Sequence, residues 1–191
     1  MVKPGWLVAV VSTGMLYVGC GEHQGGSAEG EVPASVEQGL STLVTCPVGS
    51  VTVTFDPPLR RTPQDVVTTS TGVLSNCVTL LGSPVTSATA WRQLNEPGLS
   101  CANLLKTPST TLSLTWNTGE TSTLRSTQVR VASEPAVAIA EETGTVLSGK
   151  FEGATSVRTA TFVSTDLAAC DSPEGLSSLN GLLSLSLVQV L

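Results

Sequence analysis

The sequence predicts an all-β protein: an antiparallel β-sandwich with Greek-key connections, stapled by two disulfides. Three observations predict it. Apolar and Thr or Ser residues alternate at period two in several short runs, which is the pattern of half-buried strands. Those runs are separated by Gly, Pro and Asn clusters rather than by long helical stretches, which favours strand-to-strand connections. Four cysteines, Cys46, Cys77, Cys101 and Cys170, lie within the same region and have no CxxC spacing, so they read as disulfide partners rather than zinc ligands.

The elements follow in order. Residues 1–19 carry an early cation, Lys3, an uncharged apolar run from Trp6 to Val18, and a small residue before Cys20, the layout of a signal peptide. The run is about 13 residues, roughly 20 Å as a helix, short of a hydrocarbon core of roughly 30 Å. The "VGC" ending resembles the lipobox of bacterial lipoproteins, and that resemblance implies lipidation of Cys20. Cysteine arithmetic agrees: of five cysteines, removing Cys20 leaves an even four for pairing. Residues 20–44 then read as a lipid-anchored flexible linker, rich in Gly, Ser, Glu and Gln, with an r.m.s. reach of roughly 25 Å.

Residues 45–191 form the predicted domain. In "VGSVTVTF", Val51, Val53 and Phe55 share one face, and after a proline-rich break the chain resumes as "DVVTTSTGVLSNC". If the two runs pair with Asp56 opposite Asp65, Cys46 lies opposite Ser75 and close to Cys77, so Cys46–Cys77 is the expected bond and Cys101–Cys170 follows by elimination. In "TSATAWRQL" the inward face is ambiguous between Thr89, Trp91 and Gln93 and the set Ala88, Ala90 and Arg92. Leu112, Leu114 and Trp116 alternate with Ser113 and Thr115 before "NTGE" turns the chain, a hairpin signal. "TGTVLSGKF" and "TSVRTATFV" bracket a second hairpin, and the last strand aligns Leu183, Leu185, Leu187 and Leu191. "PAVAIAEE" reads as a turn or strand end, and Ser172 as the cap of a short helical turn in "SPEGLSSLN".

Several stretches, "CPVGSVTV", "GVLSNC", "GLSC", "TTLSLTWNTGETST" and "DLAACDSPEGLSSLNGLLSL", are similar to those of a family of small secreted bacterial proteins of unknown function. The likeness spans most of residues 46–188. It implies a disulfide-stapled β-sandwich and supplies no activity.

The chemistry within reach is limited. His23 is the sole histidine and lies in the linker, so the domain has no His-based triad or His-ligated metal site. The adjacent Glu141 and Glu142, and Asp166, Asp171 and Glu174 around Cys170, read as solvated surface acids. Ser148 and Lys150 share a strand face, but nothing nearby indicates a buried, activated lysine. Trp116 belongs to the core alternation, whereas Trp91 on a polar run is the candidate surface contact. Arg60 and Arg61 read as a solvated loop pair. After loss of residues 1–19 the chain carries eight Lys or Arg against fifteen Asp or Glu, a net of −7, without the clustered cations that nucleic acid requires. A membrane-spanning barrel needs aromatic girdles that Phe55, Trp91, Trp116, Phe151 and Phe162 cannot furnish.

The sequence therefore predicts a non-catalytic, membrane-tethered extracytoplasmic binding or structural module. No catalytic residue, metal or cofactor is expected. The partners expected are a membrane, through Cys20, and a protein or carbohydrate ligand. The alternative is a carboxylate-dependent hydrolase acting on an envelope or extracellular polymer.

Overall fold

A computed structural model of the chain describes residues 40–104, 109–133 and 136–190. The signal segment, Cys20 and His23 lie outside the described residues. Ten strands run in the order β1 (Leu40–Cys46), β2 (Val48–Leu59), β3 (Gln64–Ser75), β4 (Val78–Thr79), β5 (Ala88–Leu99), β6 (Thr111–Trp116), β7 (Thr121–Ser133), β8 (Val137–Gly149), β9 (Thr155–Val163) and β10 (Leu176–Val190). A 3-10 helix, Ser164–Asp171, joins β9 to β10.

The all-β, antiparallel, two-disulfide character stands, but the sheet is a closed barrel rather than a sandwich. Its neighbours are β2-β3-β5-β6-β7-β8-β9-β10, and β10 pairs back onto β2. Neighbouring strands in space are thus successive along the wall, an up-and-down meander without Greek-key crossovers. Closure comes from one long run of chain. β1 and β2 are interrupted only at Pro47 and use the same edge of β10: β2 pairs with its first half, from Leu176 to Leu182, and β1 with its second, from Leu185 to Val190. Alternation cannot foretell this, because a sandwich and a barrel both bury every second residue. Strand β1 also moves the domain boundary: it starts at Leu40, inside the segment read as linker, and Leu43 and Val44 are buried.

Curvature has an identifiable device in the longest hairpin. Between Ser126 and Gln128 the β7–β8 register slips, leaving Thr127 as an extra residue. There the strands approach so closely that a Cβ on Gly144 would stand 2.0 Å from the Arg125 carbonyl oxygen. Only glycine fits.

The barrel has two ends. At the hairpin end lie the β6–β7 and β8–β9 turns; at the helix end lie the 3-10 helix and the segment after β5. The inward residues are apolar along most of the wall, with Val51, Leu74, Leu114, Trp116, Val146, Leu185 and Leu187 almost fully enclosed. The outer wall is largely Thr and Ser: Thr52, Thr54, Thr69, Thr71, Thr89, Ser113 and Thr115 all point away from that core. This polarity is the reverse of a lipid-spanning barrel, which faces its apolar residues outward. Among the described residues, no helix is long and apolar enough to cross a membrane.

The disulfides tie the two least regular parts of the wall. Cys46 bonds Cys77 across 31 residues, beside the β1–β4 pairing that sets Thr45 against Val78. Strands β2 and β3 pair with Asp56 opposite Val67, two residues displaced from the expected Asp65, and the β1–β4 pairs continue that register, which sets Cys46 directly opposite Cys77. At the helix end Cys101 bonds Cys170 across 69 residues, holding the segment after β5 to the 3-10 helix.

Candidate functional site

The site grows from charged residues that occupy inward positions. Strand β5 buries Ala88, Ala90 and Arg92; the inward set is therefore the one that includes Arg92, and Trp91 points outward, 53% exposed. Strand β8 is a full 13-residue strand rather than a turn, and its inward phase runs Ala138, Ala140, Glu142, Gly144, Val146. Strand β9 buries Ser156, Arg158, Ala160 and Phe162. Because β8 and β9 pair Glu142 with Arg158, the two side chains start side by side inside the barrel.

There they form a buried cluster. Arg158 Nη1 donates to Glu142 Oε1 at 2.8 Å, and Arg92 Nη1 reaches both carboxylate oxygens at 3.3 Å. Ser126 of β7 donates its hydroxyl to Glu142 Oε2 at 2.9 Å, and Arg92 Nη1 also donates to Thr110 Oγ1 at 3.0 Å. Arg92, Glu142 and Arg158 are 9%, 6% and 5% exposed. No protein atom among the described residues accepts a hydrogen bond from the Nε of either arginine. Burial opposes ionisation of Glu142, yet the guanidiniums of Arg158 and Arg92, with the Ser126 hydroxyl, outweigh it and hold the carboxyl below its ordinary value. Burial lowers the Arg158 value, only partly offset by Glu142.

Beside the cluster, toward the helix end, is a cavity of about 50 Å³. That is room for a few water-sized groups. It exists because the paired row next to Glu142 and Arg158 consists of Ala140 and Ala160, whose side chains leave space. Apolar lining comes from Val53, Phe55, Leu94, Leu104, Val129 and Phe162. Glu96 also lines it, four residues along β5 from Arg92, and accepts a hydrogen bond from Thr68 Oγ1 at 2.6 Å. Short strand β6 shapes this end: it pairs with β5 only from Ala88 to Trp91, so beyond that the wall is completed by Ser109 and Thr110, hydrogen-bonded to Ser126.

The hairpin end is filled instead. Trp116 packs edge-on against Phe151, ring centroids 5.4 Å apart, and its Nε1 donates to Ser122 Oγ at 2.8 Å. The Ser122 hydroxyl in turn donates to the Lys150 carbonyl. Lys150 spans the rim to Glu120 at 2.8 Å, so the Ser148 and Lys150 pair is split between an exposed serine and an ion-paired lysine.

The remaining sequence-singled residues do not converge on the cavity. Trp91 stands on the outer wall between Thr71 and Ser113. Asp171 pairs with Arg61, both exposed, and Arg60 donates to the Pro173 carbonyl, so the arginine loop is bonded to the helix end. Ser172 follows the 3-10 helix rather than capping a new one, because the chain after Gly175 enters β10. Glu141 is half-buried on the outer face; Glu142 is the acid that the solvated-surface expectation misplaced. Its signal was phase: Arg92 follows Ala88 and Ala90, Glu142 follows Ala138 and Ala140, and Arg158 alternates in step with Ala160 and Phe162.

Compared with protein-family models, with curated proteins and with solved structures, the chain matches none of them.

Proposed function

We propose that the chain is a non-catalytic, extracytoplasmic binding module that receives a small ligand in the barrel interior and is tethered to a membrane through a lipid on Cys20. The observation that carries the reading is the cavity beside Arg92, Glu142 and Arg158, in a barrel otherwise packed with apolar side chains. Eight-stranded barrels have an interior just wide enough to be filled or to hold one small ligand, and polar groups set in an apolar lining are what orient such a ligand. Two disulfides are compatible with an oxidising, extracytoplasmic compartment. Trp91, exposed on a wall of Thr and Ser, offers a second, outer contact for a protein or carbohydrate.

The hydrolase alternative has one observation in its favour: Glu96 and Glu142 line the same cavity. Acid–base hydrolysis needs a carboxyl group with a proton to give. Glu142 accepts from two arginines and a serine and is held ionised, so it is a poor proton donor. Binding is therefore the reading adopted.

Amide shift mapping of the disulfide-bonded domain with octan-1-ol, a neutral apolar probe, tests the chamber. Shifts at Val129, Ala140 and Ala160 are expected; their absence at millimolar probe overturns it. Cys20→Ser is expected to abolish lipid labelling and membrane association, and unchanged labelling refutes the tether.

A further inference from the structure

The charge inside the barrel does not balance. Two guanidiniums face one carboxylate, and all three groups are more than nine-tenths buried. A buried charge is costly unless it is paired and hydrogen-bonded. The Glu142 carboxylate already accepts from Arg158, Arg92 and Ser126, whereas among the described residues neither arginine Nε has a protein acceptor. Glu96 does not supply the missing charge. It lines the same cavity but forms no ion pair with Arg92 or Arg158, and its half-buried carboxylate accepts from Thr68 instead. Positive charge is thus in excess where Arg92 and Arg158 line the cavity, and apolar side chains make up most of the remaining lining.

We propose that this cavity is a site for the carboxylate of an apolar monocarboxylic acid. The acid head lies against Arg92 and Arg158, and its chain runs past Leu94, Leu104, Val129 and Phe162 toward the helix end. Guanidiniums suit this role because their planar fork matches a carboxylate and remains charged when buried. The cavity volume of about 50 Å³ accommodates the head, and the chain follows the lined path outward. Half-exposed Val131, inward-facing because it pairs with inward Ala140, continues that path at the rim. Within the trio Glu142 fixes the spacing of the arginines while leaving one positive charge for the ligand.

This inference rests on the binding reading above but can fail without it. Calorimetric titration of the disulfide-bonded domain with octanoate, methyl octanoate and octan-1-ol compares one chain length with a charged head, an ester and a neutral hydroxyl. Octanoate is expected to bind at least about tenfold more tightly than either neutral compound, the usual scale of a charge-assisted hydrogen bond. Equal or weaker octanoate binding, with octanol still bound, overturns the anion site and leaves the binding chamber standing; no binding of any of the three overturns both. A second readout does not depend on a variant folding: the carboxyl signal of [1-13C]octanoate. Bound to the arginines, it is expected to titrate at lower pH than the free acid, and an unchanged or raised midpoint contradicts the site. In Arg158→Met, octanoate affinity is expected to fall to that of octan-1-ol, and undiminished octanoate binding in that variant also contradicts it.

Discussion

The two ends of the barrel use the same inward positions for opposite purposes. At the hairpin end, Trp116 and Phe151 fill the interior, and the one polar atom of the indole is satisfied by Ser122. At the helix end, inward Ala140 and Ala160 leave space, and Arg92, Glu142 and Arg158 bring charge into it. A large aromatic gains from burial in proportion to its apolar area, so the first end is stabilised by its contents. A buried ion cluster roughly recovers its own desolvation cost, so the second end holds groups that stability alone does not call for. The difference separates a plug from a candidate site.

Replacement of side chains can break that contrast. Trp116→Ala should cost about 3–5 kcal/mol in urea-induced unfolding, and no single apolar change elsewhere should restore it. Glu142→Gln should cost a similar 3–5 kcal/mol or so, because it strands two buried guanidiniums. The combined Arg92→Met, Glu142→Leu, Arg158→Met protein should return to within about 1–2 kcal/mol of the parent, since well-packed apolar residues often replace a buried ion triad without loss. If the triple change is as unstable as Glu142→Gln, the cluster is structural and the contrast fails.

Acid should act on the helix end in particular. The Glu142 carboxyl is held below its ordinary value in the folded chain, so it binds its proton more readily when unfolded. Its contribution is then fully present above the unfolded value of about 4.3 and is lost as pH falls through the lower folded value. Stability measured by urea unfolding should therefore drop below about pH 4, and Glu142→Gln should lack that part of the slope. A parallel slope in the two proteins would sharpen the assignment against Glu142.

The smallest effect is expected on the outer wall. Trp91→Ala should change stability by no more than about 0.5 kcal/mol, the range of exposed substitutions. A larger loss would mean that Trp91 is covered by something in solution.

How much of this was legible depended on which physical rule was in play. Leu112, Leu114 and Trp116, the "NTGE" turn and the alternation of Leu183, Leu185 and Leu187 are local signals, and the strands and hairpin follow them. Barrel closure was hidden because it depends on β1 and β2 sharing one edge of β10, a relation between residues more than 100 apart in sequence that alternation does not encode. The cluster was hidden for a different reason. Single charged residues are seldom buried, so Glu142 reads as solvated until Arg92 and Arg158 are known to reach it. "AIAEE" obscured the point further, since one of two adjacent glutamates must face outward in a strand. The domain boundary shifted because Leu43 and Val44, too few to announce a strand alone, are buried by β10 and β4.

The contrast between plug and site is tested most directly by the Nε–Hε spectrum of the domain enriched in 15N-arginine. Arg60, Arg61, Arg125 and Arg130 are exposed, whereas Arg92 and Arg158 are enclosed. Two Nε–Hε signals, assigned to Arg92 and Arg158 by substitution, should persist at a pH where the other four have been lost to solvent exchange. Exchange of all six at the same rate would contradict a buried arginine pair.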